Sequence, residues 1–316
     1  MKSFYIDSNT DFSQFEPVAA CIGHFDGLHR GHQALIKHAQ EVAKNAGIAS
    51  ALITFEPDPV QVLTDQITQQ ITAFTVKKAL IAQFGIDYLY IIRFDLKMAH
   101  LSERQFMDDI LLKMNIRFLT CGFDFRYGYQ GSGDVETLKN KYHSQLRVDV
   151  IEAVKQQQKK ISSTWIIECL SQGNIALTNQ LLGYPFTLKG EVIKGHQVGR
   201  KLNFPTANLA YADNQALPKI GVYVGLLSYE GSIYQAMINV GKNPTFYEQH
   251  QITIEAHILE FKRDIYHQIV SLYFLDHLRD EIKYDSAEQL IAQLNKDLTT
   301  VKSYFGEHEI NISLFQ

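Results

Sequence analysis

The sequence predicts a parallel α/β sheet followed by a β-rich barrel with a C-terminal helix. Three observations predict it. Short apolar runs alternate with helically spaced segments early on, the rhythm changes to period two near residue 184, and one long amphipathic stretch lies near the end. In order, VAACI at 18–22, SALITF at 50–55, DYLYII at 87–92 and RFLTC at 117–121 read as buried strands. Between them, 33–46, 76–84 and 102–114 carry apolar residues at helical spacing. Such alternation builds a parallel sheet covered on both faces, and its ligands bind beyond the carboxyl ends of the strands. QQQKK at 156–160 reads as a solvated turn, and a helical pair follows at about 162–182. The domain boundary is expected at Gly183-Tyr184-Pro185, giving domains 1–184 and 185–316. Beyond it TLKGEVIKG, GVYVGLLSYEGSIYQAMINVG, ITIEAHILEF and QIVSLYFLDHL alternate, and Tyr229-Glu230-Gly231-Ser232 makes a hairpin turn. The last helix, 286–305, puts Leu290, Ile291, Leu294 and Leu298 on one face.

Bulk properties narrow the function. The 316 residues suffice for two domains, with 46% hydrophobic and 20% charged residues, a globular balance. A net charge of −4 with no basic face or tail argues against nucleic acid as a partner. Three scattered cysteines, Cys21, Cys121 and Cys169, form no disulfide framework or metal knuckle and suit a reducing cytoplasm. No stretch has the length or apolarity of a membrane span, and the N-terminus lacks an apolar leader core, so no membrane partner is expected. The oligomeric state is not legible.

GHFDGLHRGH at 23–32 follows the first buried strand, where a ligand is expected. Two histidines, His29 and His32, invite a zinc reading, but their spacing is not that of a zinc-protease helix and no third ligand stands nearby. A plain glycine-rich turn is the second reading. The third is a phosphate cradle: glycines admit an anion to backbone N–H groups, the helix starting near His32 points its dipole there, and imidazoles donate hydrogen bonds as charge develops.

The motif resembles that of nucleotidylyltransferases, in the form carried by bacterial bifunctional riboflavin kinase/FMN adenylyltransferases, or FAD synthetases. The similarity continues through TFEPDP at 54, CGFDFRYG at 121, ISST at 161, GRKLNFPTANL at 199, GVYVG at 221, NVGKNPTF at 239, IEAHILEF at 254 and FLDHLRDEIKYDS at 274. It implies a Rossmann-like nucleotidylyltransferase domain and a Greek-key riboflavin kinase barrel. Their substrates and products are ATP, riboflavin, FMN and FAD, and magnesium accompanies the ATP. In the first domain the resemblance places His29 and His32 on the ATP phosphates, with Gly23, Phe25 and Asp26 shaping the loop. It sets Asp124 and Arg126 near the same cleft and gives Ser162, Ser163 and Thr164 as hydroxyl donors. The family pattern ISSTxIR, usually with a second arginine at x, here reads ISSTWII, so Trp165 and Ile167 stand where phosphate-matched cations are expected.

In the second domain the resemblance assigns Thr206 and Asn208 to magnesium and the ATP phosphates. The loop Lys194-Gly195-His196-Gln197-Val198-Gly199-Arg200 covers those phosphates, and Arg279 lies near the flavin. Alternation in ITIEAHIL separates Glu255 and His257 from Ile254, Ala256 and Ile258; by itself this reads as a solvent-facing glutamate. The resemblance makes Glu255 the general base for the ribityl hydroxyl. Asn203, Asn243 and His267 depart from the family pattern. The expectation is a bifunctional enzyme making FMN and then FAD. A kinase with a degraded adenylyltransferase site, the reverse, and a non-catalytic flavin-binding regulator are the alternatives.

Overall fold

Buried apolar runs form the centre of the sheet, and helices cover both of its faces. In this computed structural model, which describes residues 1–195, 199, 202, 204–242 and 252–310, the chain divides into units Met1–Ser163 and Thr164–Gln316. The first unit begins with β1 (Lys2–Ile6), β2 (Val18–Ile22), α1 (Arg30–Ala46), β3 (Ala49–Glu56), α2 (Pro59–Thr64) and α3 (Phe74–Gln83). It continues with β4 (Tyr88–Arg93), α4 (Leu96–Ala99), α5 (Glu103–Gln105) and β5 (Ile116–Gly122). The ribbon β6 (Arg126–Tyr127) and β7 (Gly133–Asp134), then α6 (Val135–Tyr142), β8 (Arg147–Ile151), β9 (Lys155–Gln156) and β10 (Lys159–Lys160) complete it.

Six strands lie parallel in the order β1-β4-β3-β2-β5-β8. The chain walks outward from β2 through β3 to β4, then returns to β5 on the other side of β2. The crevice at the ends of β2 and β5 is therefore the topological switch point, where open α/β sheets bind ligands. One face packs Leu35, Ile36 and Ala39 of α1 and Ile81 of α3. The other packs Phe106, Met107, Ile110 and Met114 with Leu138 of α6.

The expected helix at 102–114 begins as α5, then widens over Phe106–Leu111, where the Leu112 N–H donates to the Met107 carbonyl at 2.9 Å. The expected solvated turn at 156–160 is a hairpin: β9 pairs with β10, and Gln157 and Gln158 turn with φ of 48° and 66°. Its Gln156 Oε1 accepts from Arg30 Nη1 at 2.9 Å, tying the hairpin to the head of α1.

The second unit carries α7 (Ser163–Ser171) and α8 (Ile175–Leu182). Next come β11 (Phe186–Ile193), β12 (Ala207–Leu209), β13 (Gly221–Tyr229), β14 (Ser232–Lys242), β15 (Ile252–Ile258), β16 (Ile269–Asp280) and α9 (Ala287–Glu307). The strands close into a barrel in the order β11-β12-β15-β14-β13-β16. Asn179 of α8 joins the helical pair to the barrel: its Nδ2 donates to the Phe274 carbonyl and its Oδ1 accepts from the Phe186 N–H. On the outside, Val222, Val224 and Met237 pack against Leu294, Leu298 and Val301 of α9.

Candidate active sites

The loop after β2 is built as a rigid platform. Gly23 donates its N–H to the Ile53 carbonyl at 3.1 Å, and Phe25 adopts a left-handed φ of 55°. Asp26, 5% exposed, turns inward: Oδ2 accepts from the Ile71 N–H at 3.0 Å and Oδ1 from the Thr72 N–H at 3.1 Å. Gly27 is required here, because φ is +71° and a Cβ would stand 2.9 Å from Ile71. Phe25 and Asp26 therefore support the loop from beneath, while Gly23 lines the cavity above.

His29 caps α1, its Nδ1 accepting from the His32 N–H at 3.3 Å. The two rings stack with centroids 3.7 Å apart and 13° between planes. Burial pushes the His29 imidazole down to about 4 and holds His32 well below the ordinary histidine value. Both are neutral near pH 7, and each keeps one ring N–H to donate. Among the described residues, the buried His32 Nδ1 has no hydrogen-bond partner.

Above these rings lies a cavity of about 460 Å³ at the switch point, lined by the ends of β2, β3, β5 and β8. His29, His32, Asp124, Arg126, Ser162 and Ser163 are brought together there. Ser163 is also held in place by donating to the Asp26 carbonyl at 3.3 Å. Thr164 is exposed in the first turn of α7. Trp165 is buried and Ile167 half-buried, so neither offers a cation.

Four cavity or sub-loop residues had escaped the sequence reading. Lys160 lies 4.8 Å over the Phe123 ring and pairs with Asp124. Together with Arg126, which sits 3.6 Å from Asp134, it is one of the two Lys or Arg side chains among the described lining residues. His24 and Asp58 form a second wall, with Nε2 to Oδ2 at 3.5 Å. Lys77 is buried below. Lys160 directly precedes ISST and Asp58 sits inside TFEPDP, so both carry a sequence signal; Lys77, within the helically spaced 76–84, carries none.

A larger cavity, about 790 Å³, opens on the other side of Phe123–Arg126. Asp124, Asp134, Glu136, Asp149 and Glu152 outnumber its Lys and Arg side chains, Arg126 and Lys139. A triphosphate is better matched to the smaller cavity.

In the second unit the barrel register aligns the site. Asn208 pairs with Glu255, Glu255 with Asn239, Asn239 with Val222 and Val222 with Arg279, so these five share one row across β12, β15, β14, β13 and β16. Thr206 Oγ1 donates to Glu255 Oε2 at 2.9 Å. Beside them a cavity of about 510 Å³ is lined by Gly195, Pro205, Thr206, Asn208, Lys262 and Tyr266 among others. A Cβ on Gly195 would fall 2.5 Å from the Asn208 amide, and one on Gly199 2.3 Å from the Phe204 carbonyl. Both glycines thus permit close approach of the backbone. Lys194 Nζ stands 5.9 Å over the Tyr266 ring.

Arg279 is engaged elsewhere: its Nε and Nη2 donate to Asp297, the latter at 2.6 Å, and Nη1 donates to the Asp280 carbonyl. His267 takes φ of 62°, which explains a position where glycine is common, and its Nδ1 lies 2.8 Å from Glu191 Oε1. His196, Gln197, Val198, Arg200, Asn203 and Asn243 lie outside the described residues.

The FAD synthetase family profile matches residues 11–165 and the riboflavin kinase profile residues 182–305. Proteins named bifunctional riboflavin kinase/FMN adenylyltransferase are similar throughout. The one from Listeria monocytogenes is 34% identical over 314 residues, covering 98% of this chain and 100% of its own. That of Bacillus subtilis is 34% identical over 289 residues, covering 90% and 92%. That of Escherichia coli K12 is 33% identical over 296 residues, covering 92% and 94%. A solved Streptococcus pneumoniae structure, named a macrolide-efflux protein, superposes with a TM-score of 0.87 at 30% identity, covering 96% of this chain and 99% of that one. Among the described residues of this chain, no helix is long and apolar enough to cross a membrane.

Proposed function

The chain belongs to the bifunctional riboflavin kinase/FMN adenylyltransferase family, and from this premise we infer how its own residues divide the work between domains 1–184 and 185–316. The protein phosphorylates riboflavin to FMN with ATP and transfers AMP from ATP to FMN, making FAD.

In the first domain an FMN phosphate oxygen attacks the α-phosphorus of ATP, and the bond to the departing pyrophosphate breaks. The nucleophile arrives ionised, so no base is needed; positioning and charge stabilisation carry the step. His29 and His32 donate ring N–H groups to the phosphates, Ser162, Ser163 and Thr164 add hydroxyls, and Lys160 takes the part that Trp165 and Ile167 cannot. Gly23 lets the chain approach closely, Phe25 and Asp26 fix the loop, and Asp124 and Arg126 border the nucleotide. The stacked histidines at the head of α1, facing the switch-point cavity, are the observation that carries this reading.

In the second domain Glu255 accepts the proton of the ribityl 5′-hydroxyl as that oxygen attacks the γ-phosphorus, and ADP leaves. Thr206 orients the carboxylate through its 2.9 Å hydrogen bond. The hydroxyl of Thr206 and the amide oxygen of Asn208 are hard donors that suit magnesium, with Gly195 leaving space beside them. These neutral oxygens would hold the magnesium. When bound with ATP it neutralises phosphate charge. Lys194, Gly195, Gly199 and Arg200 cover the phosphates, and Arg279 supports the flavin end. We place both reactions in the cytoplasm, with small molecules as partners.

One observation favours a second reading, a kinase with a weak adenylyltransferase: Lys160 and Arg126 each already face a carboxylate. A chromatographic assay with Mg-ATP, run separately on riboflavin and on FMN, decides between them. Both products are expected. FMN without FAD would select the weak-adenylyltransferase reading, and no product from either would refute both. His29→Ala should abolish FAD formation and spare FMN formation. Glu255→Gln should do the reverse, losing about a hundredfold or more in kinase rate.

A further inference from the structure

Lys77 is a buried charge that the proposed reactions leave without a task. It lies on the inner face of α3, 4% exposed, four residues before the core residue Ile81. An apolar side chain is the ordinary occupant of such a position, because an ammonium gives up its hydration there. Its Nζ donates at 3.1 Å to the carbonyl of His24, which also accepts from Thr54 Oγ1 at 2.9 Å. The loop is thus gripped from α3 and from β3 at one atom. The N-terminal approach to α3 grips it again, through the bonds of Asp26 to Ile71 and Thr72.

The charges around Lys77 give this contact a second meaning. Asp26, Glu56 and Asp58 all act on its ammonium. Without it, three carboxyl groups would stand beneath a loop that must receive a triphosphate. His24 faces Lys77, Asp58 and Asp26, and His32 faces His29, His24, Lys77 and Lys160. The cation is therefore placed to act on the site electrostatically from behind the lining residue His24, without itself lining the cavity.

We propose that Lys77 is a positioning residue for AMP transfer. It fixes the nucleotide-binding loop through the His24 carbonyl and cancels the carboxylate field beneath the phosphate end. This rests on the adenylyltransferase reading of the first domain. It also addresses how the site holds polyphosphate with Trp165 and Ile167 in place of cations.

The test is steady-state FAD formation from FMN and Mg-ATP by the full chain, with riboflavin phosphorylation by the same samples as internal control. Lys77→Met should raise the KM for ATP about tenfold or more and leave FMN formation unchanged. Burial holds both His24 and His32 low, and Lys77 adds to this. Its loss lets them protonate at higher pH, so the acid limb of the FAD-forming rate should move up. Adding Glu56→Gln to Lys77→Met should recover part of the ATP affinity, a rescue that a purely structural lysine would not show.

Glu56→Gln alone keeps Lys77 in place and should lower the KM for ATP, which tests the field even where Lys77→Met fails to fold. An unchanged KM and pH profile in Lys77→Met would overturn the proposal. So would an unchanged KM in Glu56→Gln. Wild-type protein that makes no FAD would instead sink the adenylyltransferase reading itself.

Discussion

Stacked on His32 and withdrawn from water, the His29 ring titrates at about 4 in the folded protein and near 6.5 in an unfolded chain. The unfolded state therefore binds more protons between these values. The stability from keeping His29 neutral is complete above pH about 6.5 and is lost as pH falls toward 4. Acidification from neutrality to pH about 4.5 should cost the first domain about 2 kcal/mol through this ring. Urea unfolding of wild type and His29→Asn at both pH values measures the difference. Equal pH slopes would mean that the ring is not held neutral. Sequence made the two histidines legible, since glycines and a strand-to-helix turn surround them. It did not reveal that one caps the other's backbone, nor that Asp26 faces inward. The Thr206–Glu255 bond joins residues 49 apart in sequence, a relation created only by barrel closure. Lys77 was illegible because side-chain burial is set by what folds over a helix, and a lysine within a helix reads as a surface residue.

Elements were legible in proportion to how evenly they are buried. β2 is buried at every position and announces itself. β1 is an edge strand with only Ile6 fully buried, and it passes for an N-terminal tail. α9 shows the same limit from the other side. Its apolar stripe of Leu290, Ile291, Leu294 and Leu298 was expected, and Leu294 and Leu298 pack on the barrel, whereas its buried polar tie was not expected. Asp297, 3% exposed, receives Arg279 of β16 through two nitrogens and Gln293 Nε2 at 2.8 Å. A buried pair broken on one side leaves an uncompensated charge, costing about 3 kcal/mol or more. Asp297→Ala should lower second-domain stability by that amount. The double replacement Arg279→Met with Asp297→Leu should cost much less, because no charge remains buried. Thermal unfolding followed with kinase activity separates the cases. A double variant as unstable as the single would show that the tie works through packing.

At the scale of the whole molecule, each unit has its own core and its own cavity, and each cavity is complete within its unit among the described residues. FMN is product of one site and substrate of the other, and the two cavities share no lining residue among the described residues. Release of FMN to solvent between the two steps then suffices for FAD synthesis. This predicts complementation between two half-dead chains. His29→Ala supplies FMN from riboflavin, Glu255→Gln adenylylates it, and an equimolar mixture should make FAD from riboflavin although neither chain does so alone. Free FMN should accumulate before FAD appears, and diluting the mixture should lengthen that lag. Chromatography of timed samples reads both species. A mixture that makes FMN but no FAD, while Glu255→Gln alone still converts added FMN, would show that FMN does not reach the second chain. A wild-type chain that shows no such lag at the same concentrations would point to direct transfer.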